Sequence, residues 1–201
     1  KKILSLKNVY SLFLQNETKN IILRIFPQFK FFERLKNFSK LDSQLKKKYD
    51  YRLILALLIV DKSDNYEFFC YRYKLSNNIK NKFQNISKNF ENITNQKFFS
   101  KENIKKLIYL TNKDNVRDLL LFSSCFDIKM KNLNTNELLD YINNCEIPKF
   151  PISGDYLKKY GYSSGLELGR KLKLLEEKWI ENNFIIEKKV VEKSLSKFNK
   201  N

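Results

Sequence analysis

Two pairs of aspartates have the spacing at which carboxylates on one helix face could bind a metal ion. Asp61 and Asp64 are three residues apart, and Asp114 and Asp118 are four apart. Side chains at these spacings are neighbours on a helix surface. Such pairs are nevertheless more typical of solvated charges than of metal ligands, which come in larger sets. The sequence therefore predicts no metal site and no catalytic residue in this chain.

Three widely spaced cysteines are the other candidates for metal or redox chemistry: Cys70, Cys125 and Cys145. No Cys-x-x-Cys pair occurs and the chain has no histidine, so a mixed Cys/His zinc site is excluded. We interpret the cysteines as buried or free thiols in a reducing compartment. A cytoplasmic protein is expected.

All four glycines lie within one short segment, at residues 154, 161, 165 and 169. Their absence earlier in the chain excludes a phosphate-binding loop, a dinucleotide fingerprint and a nucleophile elbow. Gly165 and Gly169 share one face of a predicted helix, where each glycine costs about 1 kcal/mol relative to alanine. Two explanations stay open: close approach of the preceding short helix, or a ligand phosphate bound by free N–H groups of the first turn.

The elements around these glycines are a short helix, a tight turn and a long helix. Ser153 is predicted to cap the short helix, and Gly161 to follow it in a left-handed conformation. Ser164 and Glu167 have the spacing of a capping box, which predicts a second helix from about Gly165 to Asn182. Its apolar stripe is Leu168, Leu172, Leu175 and Trp179, with the tryptophan in the core.

The rest of the chain has helical periodicity, so we predict an all-α fold with a helical body and a small helical tail. One face of a first helix is formed by Ile3, Leu6, Val9, Tyr10 and Phe13. Residues 49–60 are apolar nearly all round and predict a buried central helix. Ser100 and Asn112 are predicted to open later helices. Pro148 and Pro151 mark a boundary, which gives a body over 1–147 and a tail module over 148–201.

The segment FPISGDYLKKYGYSSGLELGRKLKLLEEKWIENNF, residues 150–184, resembles the C-terminal tail of bacterial class II tRNA nucleotidyltransferases, the CCA-adding enzymes and poly(A) polymerases. Residues 52–60, 71–83 and 108–124 resemble body segments of the same family in the same order. The tail departs from the family pattern at Tyr156, where an acidic residue or leucine is commoner. The matching tail positions are Pro151, Gly154, Asp155, Leu157, Gly161, Gly165, Gly169, Trp179 and Ile180.

The family's catalytic head and neck motifs have no counterpart in this sequence. The resemblance implies an Asp-x-Asp metal site for Mg²⁺ in the head and a Glu-Asp-x-x-Arg motif in the neck that pairs with CTP or ATP. Neither motif occurs here, so no cofactor is expected in this chain. The chain begins with Lys1, and we expect it to be the C-terminal, RNA-binding part of a longer or split enzyme, not catalytic by itself.

The resemblance implies tRNA or another structured RNA as the partner. Two possibilities stay open for the chain: it acts with a separately encoded catalytic head, or it is an inactive remnant. The longest apolar run, residues 53–60, is too short to span a bilayer, so no membrane is expected. A formal net charge of +17 on 24.2 kDa favours polyanions. Two alternatives remain: a helix-hairpin-helix DNA-binding module, and a structural helical subunit of a larger assembly. The residues predicted to contact RNA phosphates are Lys158, Lys159, Arg170, Lys171 and Lys173, with Gly165 offering its backbone N–H.

Overall fold

The computed structural model describes residues 1–6, 8–126, 134–187 and 191, and this part of the chain is all-α, as predicted, with no strand. Short 3₁₀ helices cover Ile3–Ser5, Asn92–Thr94 and Gln96–Phe99. The α-helices in chain order are α1 Val9–Leu14, α2 Asn16–Ile25, α3 Phe32–Ser39, α4 Ser43–Lys46, α5 Tyr51–Ile59, α6 Asn65–Arg72, α7 Asn77–Lys88, α8 Lys101–Leu110, α9 Lys113–Phe126, α10 Thr135–Asn144, α11 Gly154–Lys158 and α12 Leu166–Glu181.

The chain divides into two compact units, Lys1–Cys145 and Glu146–Asn201. The division falls in the segment between α10 and α11, where Pro148 and Pro151 interrupt helix formation. None of the described helices combines the length and the apolar character needed to cross a lipid bilayer. We refer to the two units as the body unit and the tail unit.

The core of the body unit is built around α5, as the apolar sequence of residues 49–60 predicted. Residues 53–60 are all buried, and α5 packs against α3 and α9. The carbonyl groups at its C-terminal end are satisfied by a buried arginine: Arg34 donates to the Leu57 and Val60 carbonyls at 3.2 and 2.6 Å. The guanidinium lies 3.8 Å from the Phe31 ring centroid, and burial lowers the pKa of Arg34 to about 10.

Two helix starts in the body unit have the capping residues that the sequence predicted. The hydroxyl of Ser100 accepts from the Asn103 amide at 3.3 Å, and the Asn112 side chain accepts from the Asn115 amide at 2.8 Å. The predicted first helix is wrong, because a 3₁₀ turn over Ile3–Ser5 is separated from α1. Ile3 is consequently exposed, whereas the later positions Val9 and Phe13 are buried in α1.

The tail unit has its own small apolar core, formed by Leu157, Tyr162, Leu175 and Val191. Leu168 and Leu172 are partly buried against it, so the predicted stripe of α12 faces inward. Trp179 is buried between the rings of Phe150 and Phe184, at centroid distances of 5.3 and 4.9 Å. The prediction of a core tryptophan is confirmed.

Candidate nucleic-acid interface

Helix α11 has the N-cap residue, and is followed by the left-handed glycine, that the sequence predicted. The Ser153 hydroxyl accepts from the Tyr156 amide at 3.2 Å and caps α11. Gly161 follows that helix with φ +89°, the left-handed conformation that favours glycine. These two residues therefore do locally what their types and positions indicated.

The start of α12 differs from the prediction. Gly165 is the N-cap residue, with φ +143°, and α12 begins at Leu166 without a side-chain capping hydrogen bond. The capping box of Ser164 and Glu167 is therefore wrong: Gly165 redirects the chain one residue later than expected, which leaves Ser164 outside the helix. A residue with a Cβ would be strained at this φ, so conformation explains Gly165.

The first explanation for Gly165 and Gly169, close approach of the preceding short helix, is wrong, because no described atom lies close to the position that a side chain would take at either glycine. A Cβ at Gly165 or at Gly169 would meet nothing within 4 Å. A Cβ at Gly154 would lie 3.4 Å from Leu168 Cδ2, which is ordinary van der Waals contact. Gly169 does not have a left-handed φ, and no described atom lies close to it. Its backbone therefore faces open space, and neither conformation nor packing explains why this residue is a glycine.

The predicted contact residues are at the surface of the tail unit, with one exception. Lys158, Lys159, Gly165, Arg170 and Lys173 are exposed, and Lys171 is half-buried. Lys158 forms an ion pair with Asp155 at 2.9 Å, one turn earlier in α11. This hydrogen bond and the charge of Lys158 lower the pKa of Asp155.

The charges of α12 are arranged unevenly along the helix. Arg170, Lys171 and Lys173 lie in its first half, whereas three of its acidic residues, Glu176, Glu177 and Glu181, lie in its second half. The N-terminus of a helix is the positive end of its dipole. Cations near the N-terminal end and carboxylates near the C-terminal end interact unfavourably with the dipole. Only Glu167, in the first turn, and Lys178, in the last turn, have the favourable placement. The first half of α12 therefore presents positive potential to solvent.

A polar cleft in the body unit was not predicted from the sequence. It has a volume of about 460 Å³ and lies at the N-terminal ends of α5, α7 and α9. Its centre is the ion pair of Lys82 and Asp118, with Nζ and Oδ2 2.6 Å apart and side chains only 12% and 8% exposed. The lining residues are Arg52, Asn78, Asn81, Lys82, Asn112, Asp114, Asn115, Arg117 and Asp118.

Each cation of this polar cleft has a carboxylate partner. Arg52 pairs with Asp50 at 2.5 Å and Arg117 with Asp114 at 2.9 Å, in addition to the central pair. Burial raises the pKa of Asp118, outweighing the opposing effect of Lys82. For Asp50, burial also acts upward, but the Leu53 amide, Lys82 and Arg52 together lower the pKa. The cleft is charge-balanced, which suits a structural network better than a phosphate site.

The prediction that Asp114 and Asp118 are solvated surface charges is therefore correct for Asp114 and wrong for Asp118. Asp114 is exposed, whereas Asp118 is buried. Residue spacing within α9 could not reveal that Asp118 is buried, because its ion-pair partner, Lys82, lies on α7. Across the residues that the structure describes, no group of three or more histidine, cysteine, aspartate or glutamate side chains could hold a metal ion. Cys70, Cys125 and Cys145 are buried and form no disulfide.

Comparison with known sequences finds one kind of enzyme. The chain is 37% identical over 67 residues to the mitochondrial CCA tRNA nucleotidyltransferase 1 of Danio rerio and 41% identical over 51 residues to that of Homo sapiens. These matches cover 33% and 25% of this chain but only 16% and 12% of the relatives. No family model matches the sequence.

Among solved structures, the chain resembles the Thermotoga maritima CCA-adding enzyme, whose structure is a complex with tRNA. The TM-score is 0.55 at 19% sequence identity, over 98% of this chain. The aligned region is 50% of the Thermotoga protein, so this chain spans about half of that enzyme. The structural likeness establishes the fold, and the sequence matches supply the relationship to a particular class of enzyme.

Proposed function

We propose that this chain, a relative of the tRNA nucleotidyltransferase family, is the part of such an enzyme that binds tRNA for processing at its 3′ end in the cytoplasm. The observation that carries the proposal is the sequence similarity to CCA tRNA nucleotidyltransferases. In this proposal the chain holds the RNA, and nucleotidyl transfer, with Mg²⁺ and CTP or ATP, takes place on a separate catalytic head.

The surface of the tail unit supports this role. The first turn of α12 has no side-chain cap, and its N–H groups and the cations Arg170 and Lys173 are near one another along the helix. Free N–H groups at a helix N-terminus and exposed cations both favour phosphate oxygens. A shape-recognising contact of this kind suits folded RNA, whose grooves present phosphates and 2′-hydroxyls.

A salt titration of tRNA binding tests the proposal. The logarithm of the association constant should fall by roughly 0.7 to 0.9 per unit of log salt for each phosphate neutralised. We expect Arg170→Gln with Lys173→Gln to reduce the slope by about two phosphates, and Lys178→Gln, at the other end of α12, to have a smaller effect. Salt-independent binding, or equal binding to duplex DNA, would overturn the proposal; the second result favours the helix-hairpin-helix alternative.

The non-catalytic part of the proposal has its own measurement. The chain alone, given Mg²⁺, CTP, ATP and tRNA lacking its 3′ CCA, should incorporate no nucleotide while still binding the tRNA. Incorporation by the purified chain would contradict this part. A chain that binds no RNA but copurifies in a defined complex with another protein would instead indicate a structural subunit.

A further inference from the structure

Helix α6 of the body unit presents two aromatic rings to solvent. Phe68 is 53% exposed. Tyr71 is 86% exposed, more than any other large apolar side chain in the described ranges. The two residues are three apart and therefore neighbours on one helix face, with Arg72 beside them. We call Phe68, Tyr71, Arg72 and Lys74 the α6 face.

The two rings are free to accept a stacking partner. Neither contacts another aromatic ring within the part of the chain that is described, and the Tyr71 hydroxyl has no hydrogen-bond partner there. The opposite side of α6 is anchored: the ring of Phe69 lies 5.8 Å from that of Phe29 and 4.6 Å from that of Tyr73. The exposed rings therefore stand on a well-packed helix.

The cations of the α6 face lack a carboxylate partner among the described residues, unlike those of the polar cleft, although the Arg72 guanidinium lies 5.9 Å from the Tyr73 ring centroid. Neither Arg72 nor Lys74 forms an ion pair with any described residue. The nearby Glu67 carboxylate accepts a hydrogen bond from the Tyr66 hydroxyl at 2.9 Å. Lys74 has φ +48°, and the Leu75 amide donates to the Cys70 carbonyl at 3.0 Å, so a tight turn holds this lysine next to the end of α6.

We propose that the α6 face is a stacking surface for an unpaired base of RNA, with Arg72 and Lys74 contacting the adjoining phosphates. Exposed aromatic rings beside unpaired cations match the two halves of a nucleotide, the flat base and the anionic backbone. A purely apolar protein partner would leave both cations unmatched, and this is why RNA is favoured. The inference rests on the proposed RNA-binding function and adds a second contact on the body unit.

The test uses the whole chain and a single-stranded RNA of about ten nucleotides carrying 2-aminopurine, whose fluorescence is quenched on stacking. We expect quenching with the unchanged protein and with Tyr71→Phe. Tyr71→Ala should bind about tenfold more weakly and lose the quenching, which is within the range for base–aromatic stacking. Arg72→Gln should lower the salt slope by about one phosphate. Leu110→Ala, another exposed apolar side chain, is the matched control and should change nothing.

Binding and quenching unchanged by Tyr71→Ala would overturn the inference. So would a change in oligomeric state on Tyr71→Ala with no effect on RNA, because it would identify a protein interface. Binding of folded tRNA by the same variants separates the two proposals. Salt-sensitive tRNA binding that persists without any 2-aminopurine quenching removes only the stacking surface, whereas loss of both removes the proposed function as well.

Discussion

Replacing Gly169 with alanine should stabilise the tail unit. The residue is inside α12, its amide donates to the Gly165 carbonyl at 3.2 Å, and a methyl group at this position meets nothing within 4 Å. Alanine in a helix interior is more stable than glycine by about 1 kcal/mol, mainly because glycine loses more backbone entropy on folding. No steric cost opposes this gain.

Urea unfolding followed by tryptophan fluorescence measures the effect directly. Trp179 is the single tryptophan of the chain and is buried in the tail unit, so its emission reports this unit. With a denaturant slope of about 1–3 kcal/mol per molar, a gain of about 1 kcal/mol raises the midpoint by about 0.3–1 M. Gly165→Ala is the matched control. Its φ of +143° strains any residue with a Cβ, so it should lower the midpoint.

A lower midpoint for Gly169→Ala would refute this reasoning, because it would show that something in the folded protein approaches the backbone at this point. The same variant also bears on function. No described atom of the chain accounts for the glycine, and the proposed function places RNA against this part of α12. We therefore expect Gly169→Ala to be more stable and yet to bind tRNA more weakly.

Two further predictions concern buried groups of the body unit. Lys82→Met leaves Asp118 buried without its ion-pair partner at 2.6 Å and should destabilise the protein by roughly 3–5 kcal/mol. Adding Asp118→Leu should recover most of this loss, measured as the midpoint of urea unfolding. A double variant that is no more stable than Lys82→Met would contradict the ion-pair argument. Burial raises the pKa of Cys70 to about 11 and that of Cys125 to about 12, so at pH 8 their thiolates are scarce. We expect neither to react with a disulfide reagent until urea unfolds the chain, and rapid labelling of Cys70 or Cys125 in the native protein, located by mass spectrometry, would disagree with the structure.

Local features of the fold could be predicted because they depend on residues close in sequence. Ser100 and Ser153 cap helices by accepting from an amide three residues later, a contact that needs only the right side chain in the right position. The buried helix α5 follows from its continuous apolar sequence. The miss at Ser164 has a similar origin: a capping box and a glycine N-cap are both consistent with the same few residues, and the backbone conformation of Gly165 decides between them.

The candidate site was less predictable than the fold. The sequence selected the basic residues of the tail unit, but their exposure and the open space beside Gly169 depend on the tertiary packing of that unit. It treated Asp118 as a solvated charge because helical spacing identifies neighbours on one helix and not partners on another. It also contained no signal that separates the exposed Tyr71 from the buried Phe69 two positions earlier.

By itself, the sequence determined the all-α class, the glycine-containing turn between two tail helices and the excess of positive charge. These properties follow from composition, short-range hydrogen bonding and the periodicity of apolar residues. The resemblance to tRNA nucleotidyltransferases was also visible in the sequence, but it rests on matching residues of the tail segment and not on these physical properties. Only the tertiary structure decided that Lys82 neutralises Asp118, that Gly169 faces open space and that Tyr71 stands free on α6. Burial and ion pairing depend on which distant segments pack together. The packing is set by the free energy of folding of the whole chain, which no single segment determines.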